Sequence, residues 1–248
     1  NVPDNQPESR QLTNRLYGGD LETRVRQEYL LGIGGIRALE VLGLKPKVIH
    51  MNEGHSAFAG LERIANFMDK HKLSFEAAME LVASSSIFTT HTPVPAGNER
   101  FSVDLLEKYF KGWAHELGIE WKAFLGLGRE NPADDAEPFC MTVLALRMSA
   151  YANGVAELHG VVSRDMWRKL WPGLDAAEIP IGHVTNGVHP RTWISSPMLE
   201  LLDRYFGPRF EEDLANLATW DRIDRVSDEE LWRTHERRRE RLVVFARD

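Results

Sequence analysis

Three short segments carry the residue types that could do chemistry. The first is His50-Met51-Asn52-Glu53-Gly54-His55, which sets two imidazoles beside a carboxylate. Zinc helices of the H-E-x-x-H or H-x-x-E-H kind place their histidines four apart on one face. Here the separation is five, and the first histidine closes an apolar run, so the spacing argues against a metal. The second is Thr89-Thr90-His91-Thr92-Pro93-Val94-Pro95, where the prolines fix the loop and hold His91 in place. The third is Gly182-His183-Val184-Thr185-Asn186-Gly187-Val188-His189-Pro190, which presents an amide with one acceptor and two donors. Each has a plainer alternative. Asn52 or Glu53 could cap the next helix, His91 could be tied to a backbone carbonyl, and Asn186 could simply make an Asn-Gly turn.

These segments need elements to position them. Residues 21–41 have helical spacing and end at Gly43 and Pro46. Residues 47–51 read as a buried strand, 57–70 as a helix, and 75–83 as a helix capped by Ser74. Residues 86–90 are β-branched and aromatic, which predicts the next strand. Ser102 predicts a cap for a helix over 103–117. The Gly-, Pro- and acid-rich stretch 126–138 reads as a surface loop. Helix is expected over 141–152 with Asn153-Gly154 as its stop, then a strand at 155–158. A short helix capped by Ser163 and a strand at 179–184 follow. The rhythm predicts an α/β fold with a parallel sheet, so that the first two segments lie at strand carboxyl ends, where open α/β sheets bind ligands. A boundary is expected near residue 190. Beyond it the chain is charged and helical, with a capping box at Ser227 and Glu230.

Two patterns carry no site. Gly32-Ile33-Gly34-Gly35 lacks the third glycine and the preceding strand of a dinucleotide fingerprint, so it reads as close packing within a helix. Arg237-Arg238-Arg239-Glu240-Arg241 is flanked by acids and reads as a solvated helix face.

Composition sets the bounds. The 248 residues are 43% hydrophobic and 27% charged, enough for a sizeable core. A net charge of −7 argues against a nucleic-acid or anionic-membrane partner. The one cysteine, Cys140, fits a reducing, cytoplasmic setting. No stretch approaches the roughly 20 apolar residues of a membrane span, and no signal peptide opens the chain. The polar stretch 1–10 and the apolar stretch 242–246 read as cuts inside a longer protein, an expectation that intact mass against the encoded reading frame tests.

Taken in order, the segments resemble the glycogen, starch and maltodextrin phosphorylases, closest to the bacterial and archaeal α-glucan phosphorylases. The resemblance rests on Leu16-Tyr17-Gly18-Gly19-Asp20, Arg26-Gln27-Glu28-Tyr29, His50 to His55, Thr90-His91-Thr92 through Glu99-Arg100, Asn153-Gly154-Val155 with His159, and Thr185-Asn186-Gly187 with Pro190-Arg191 and Trp193. It implies a glycosyltransferase-B-like fold of two α/β domains around a cleft. Residues 1–190 would be the later part of the first domain, incomplete here, and 191–248 a helical connector into the second. It further implies that His91 and Asn186 hold the 6-hydroxymethyl group of a glucosyl unit, with the His91 carbonyl near the anomeric carbon. Glu53 and His55 match a polar pair beside that pocket. Animal members carry Asp-Thr-His where this chain has Glu-Gly-His, which leaves the contact of Glu53 open. Glu99 joins the substrate-binding set. Tyr17 and Asp20 fall where the family has a gating loop, here shortened and glycine-rich.

The activity implied is reversible phosphorolysis of an α-1,4-glucan by inorganic phosphate, releasing glucose 1-phosphate with retention through an oxocarbenium-like transition state. The cofactor implied is pyridoxal phosphate, acting through its phosphate. Its Schiff-base lysine would belong to the second domain, so that this chain alone binds no cofactor covalently and turns over no glucan. The reading admits a homodimer. Its rivals are a nucleotide-sugar-dependent glycogen or starch synthase, a non-catalytic glucan-binding module, and a purely structural fragment.

Overall fold

The computed structural model describes residues 2–15, 19–207, 210–214 and 216–247. Among the described residues six strands form, in chain order: β1 (Ile49–Asn52), β2 (Ser86–Thr90), β3 (Arg100–Phe101), β4 (Phe139–Cys140), β5 (Tyr151–Gly154) and β6 (Ile181–His183). Four of them make a parallel sheet in the order β1-β2-β5-β6, with helices flanking it; β3 and β4 form a separate antiparallel pair. The fold is α/β. Asn52 pairs with Thr89, Thr90 with Gly154 and Gly154 with His183, so the four carboxyl ends lie level along one edge.

The helices form for local reasons and stay for tertiary ones. Asp20 accepts from the Thr23 N–H at 2.8 Å and opens helix Leu21–Tyr29. Ser74 caps Phe75–Ser84 and Ser102 caps Val103–Glu116, each accepting from the N–H three residues on. The core gathers Met51 and Phe88 from the sheet with Phe58, Phe110, Phe124, Phe139 and Leu144 from the surrounding elements. Phe58 and Phe110 pack with ring centroids 4.3 Å apart.

Helix Leu21–Tyr29 runs into a π-helical turn, Leu30–Gly34, and on into helix Gly35–Val41. Gly32 explains the close fit there. A Cβ at this position would sit 2.7 Å from the Ala59 amide nitrogen and 2.9 Å from the Phe58 carbonyl carbon, so only glycine lets the two backbones meet.

Several expectations need correction. Helix Met141–Arg147 stops early, and residues 151–154 are strand β5, so Asn153-Gly154 lies on a strand end instead of stopping a helix. The next helix is Glu157–Met166, where a strand was expected at 155–158, and Ser163 is buried inside that helix instead of capping it. The stretch 126–138 is only partly a surface loop. A helix, Trp121–Gly126, ends inside it, and Arg129 is 1% exposed. That guanidinium donates to the carbonyls of Glu137 (2.8 Å) and Asp135 (3.1 Å), while the Glu137 carboxylate accepts from the N–H groups of Glu130 and Asn131. A buried cation thus ties the acidic turn down. No side chain caps the short helix after β1; Asn52 and Glu53 are used elsewhere.

Contacts divide the chain into two compact units, Asn1–Asn186 and Gly187–Asp248. The second has its own small core, Leu202, Phe206 and Phe210 with Trp220 packed against them. Its capping box is half formed. Ser227 accepts from the Glu230 N–H, but the Glu230 carboxylate turns to Tyr205 and Arg204. No helix among the described residues is long and apolar enough to cross a membrane.

Candidate active-site wall at the carboxyl edge

The loops that follow β1, β2, β5 and β6 carry the polar residues, because a parallel sheet delivers every strand's carboxyl end to the same edge. β1 ends in Asn52, and the chain then turns sharply at Glu53, which has φ 63° and ψ 176°. That backbone region is close to glycine-only. Three hydrogen bonds hold it there. The Glu53 N–H donates to the Thr89 carbonyl at 2.9 Å. The Glu53 carboxylate accepts from the His91 N–H and, at 3.2 Å, from the Thr92 hydroxyl. Glu53 therefore clasps the loop after β2.

His91 follows β2 directly, and its ring is exposed. Its Nε2 lies 2.5 Å from Asn52 Oδ1. Asn186 follows β6 by three residues, and its N–H donates to the Val155 carbonyl at 3.0 Å. That bond lays the Thr185-Asn186 segment beside the loop leaving β5. His91 and Asn186 thus come off strands separated only by β5, a backbone span of about 10 Å at ordinary strand spacing. His159, 9% exposed, sits beneath this edge, its Nδ1 accepting from the Val155 N–H at 3.1 Å. The proton is then on Nε2, which has no partner among the described residues. Gly154 permits this packing, since a Cβ there would come within 3.1 Å of the His159 ring nitrogen.

His55 belongs to a second group. Arg24 reaches it from helix Leu21–Tyr29, with Nη2 3.3 Å from His55 Nδ1 and 3.3 Å from the Glu28 carboxylate; Arg24 Nε donates to Glu99 at 2.5 Å. Glu99 lies 3.2 Å from His55 Nδ1. Burial first, then the Arg24 charge, push the His55 pKa below its ordinary value, and Glu53 opposes them. Both effects favour the neutral ring. Glu28, His55 and Glu99 offer ligand atoms within 4.8 Å of one another, as a metal site would. The cation among them here is the Arg24 guanidinium, which already pairs with both carboxylates.

Of the six residues singled out by sequence, His91, Glu53 and Asn186 lie along the carboxyl edge, and His55 and Glu99 meet around Arg24. Tyr17 lies outside the described residues; Asp20 is the helix cap already noted. The sequence reading missed Asn52 as a partner of His91, and Arg24 with Glu28 as the charges around His55. Glu28 had a visible signal: it shares a helix face with Val25, both buried, where an acid has no reason to sit without a partner.

The carbohydrate phosphorylase family profile matches residues 11–116. The chain is 45% identical over 235 residues to the maltodextrin phosphorylase of Thermococcus litoralis, covering 94% of this chain and 27% of that protein. It is 41% identical over 257 residues to the glycogen phosphorylase of Mycobacterium tuberculosis, covering 99% and 29%. It is 38% identical over 248 residues to the glycogen phosphorylase of Aquifex aeolicus, covering 100% and 35%. The chain spans about a third or less of the length of these relatives. With the family profile over residues 11–116 and relatives of 38–45% identity aligned over 94–100% of this chain, the chain belongs to the carbohydrate phosphorylase family.

Proposed function

We propose that this chain forms the glucose-pocket wall of an α-1,4-glucan phosphorylase, which releases glucose 1-phosphate from glucan with inorganic phosphate. The observation that carries the reading is the pairing of edges: an imidazole after β2 and an amide after β6, two strands apart on one level edge. That interval suits one pyranose hydrogen-bonded on both sides. In this reading His91 and Asn186 hold the 6-hydroxymethyl group, and the His91 carbonyl faces the anomeric carbon. Glu53 acts through His91, since its carboxylate is committed to the His91 N–H and Thr92. His55 and Glu99 form the neighbouring wall with Arg24. Hydrogen bonds that tighten as the ring flattens raise turnover, whereas bonds equal in both states do not.

Residues 1–190 would then be the later part of the first domain and 191–248 the helical lead into the second, in a cytoplasmic enzyme. Pyridoxal phosphate belongs to the same reading, but the residues here do not fit its anchoring. Every lysine of the chain is exposed, and none follows β1, β2, β5 or β6 at the carboxyl edge. Its anchoring is therefore assigned to polypeptide outside residues 1–248.

The test is an assay of the full-length protein with glucan and orthophosphate. Release of glucose 1-phosphate is expected. Glucosyl transfer from ADP-glucose with no phosphorolysis would move the protein to the synthase class. Glucan binding with neither reaction would leave a binding module.

A further inference from the structure

The end of β1 does more than turn the chain. Asn52 and His50 lie two residues apart on β1 and so point to the same face of the strand. Both reach across to the β2 side. The Thr89 hydroxyl donates to Asn153 Oδ1 at 3.1 Å and so accepts from His50 Nε2 at 2.7 Å. This chain of bonds runs over three neighbouring strands and fixes their ends relative to one another. Asn52 is held on that frame, in register with Thr89.

Its side-chain oxygen can only accept, and the atom it faces at 2.5 Å is His91 Nε2. A neutral imidazole carries one N–H, so placing it on Nε2 leaves Nδ1 as an acceptor. Among the described residues nothing bonds His91 Nδ1. The ring is exposed, and its backbone is fastened by the Glu53 carboxylate. Two consecutive residues of β1 and its turn therefore hold the two N–H groups of His91, one on the ring and one on the backbone. What remains free on His91 is one ring acceptor and one carbonyl.

We propose that Asn52 is a positioning residue that sets His91 in the Nε2-protonated tautomer, so that Nδ1 accepts a hydrogen bond from a hydroxyl of the substrate. The inference rests on the pocket-wall reading above. Its consequence is a division of roles at that hydroxyl: the substrate donates to His91, and the Asn186 amide N–H donates to the same oxygen. A ring free to flip its proton would spend part of its population with a donor facing the hydroxyl, and the alignment with Asn186 would be lost.

The experiment uses the full-length protein labelled with nitrogen-15 at histidine, the His91 signals being assigned by their loss in His91→Gln. Wild type is expected to show a bare Nδ1 and a protonated Nε2. Asn52→Leu is expected to abolish that preference and to lower kcat by about 10- to 100-fold, with KM changed far less. Asn52→Asp, which keeps the acceptor, is expected to restore the tautomer and most of the turnover. A protonated Nδ1 in wild type overturns the proposal. So does an unchanged His91 tautomer in Asn52→Leu, or a kcat of that variant equal to wild type. The tautomer spectra need no activity. If the protein fails to phosphorolyse glucan, the functional reading falls alone, and the spectra still decide what Asn52 does.

Discussion

Arg24 is the residue on which the His55 group turns, although only charge and spacing mark it in the sequence. Its side chain is 11% exposed, that of Glu28 is 2% and that of Glu99 21%. Arg24→Met would strand two carboxylates in a mostly dry site, and removing one partner of a buried pair costs about 3–5 kcal/mol. A matching fall in the urea unfolding free energy is expected. His55 gives a pH signature. Its folded pKa lies below the unfolded value of 6.5, so below that value the unfolded chain binds more protons than the folded one. The stability contribution is present above the unfolded pKa and is lost as pH falls through the folded one. The urea midpoint should therefore drop between neutral and mildly acid pH, and His55→Gln should flatten that slope. For Asn186, the proposed transition-state hydrogen bond predicts that Asn186→Ala in the full-length protein lowers kcat by about 100-fold or more; an unchanged kcat would remove it from the site. Residue types alone could nominate His91, Glu53 and Asn186. They could not say that the Glu53 carboxylate is spent on a backbone N–H, because that depends on where β2 ends relative to β1.

At the scale of elements, strained backbone and close packing are the two features that substitutions can read. Glu53 sits at φ 63°. Glu53→Ala and Glu53→Gly both lose the carboxylate, but only glycine relieves the backbone, so the glycine variant should be the more stable by about 1–3 kcal/mol. Equal thermal midpoints would show that no strain is stored. Gly32→Ala should destabilise by about 1–3 kcal/mol, since its Cβ would meet backbone, which cannot swing aside. Most elements were legible: β2 from its β-branched run, the helical stretch from Leu21 onward from its apolar spacing, and two further helices from Ser74 and Ser102 as caps. Residues 141–158 were not. The helical signal of Met141–Arg147 spills past its true end. What ends it is a long-range bond, the Ala150 N–H to the Ala83 carbonyl at 2.8 Å, which draws the chain into the sheet beside β2. Local propensity has no access to such a contact.

At the scale of the molecule, lysine placement makes the sharpest prediction. With every lysine exposed and none at the carboxyl edge, borohydride reduction of the cofactor-loaded full-length protein followed by peptide mapping should find the pyridoxyl label outside residues 1–248. A label on any lysine within them would contradict the proposed division of labour. Cys140 makes no comparable claim, since burial pushes its thiol pKa up and leaves it inert. The order of motifs along the chain was enough to identify the family, because a series of segments in fixed order is far more specific than any one of them. The alternating pattern was enough to establish a parallel α/β sheet, because period and caps are local properties of sequence. Which side chains meet was decided only by the tertiary structure. Asn52 and His91, Glu53 and Thr92, Arg24 and Glu99 are each distant in sequence. Their contacts exist only because parallel pairing brings the strand ends level, and because Gly32 lets the π-helical turn Leu30–Gly34 close on the backbone of Phe58 and Ala59.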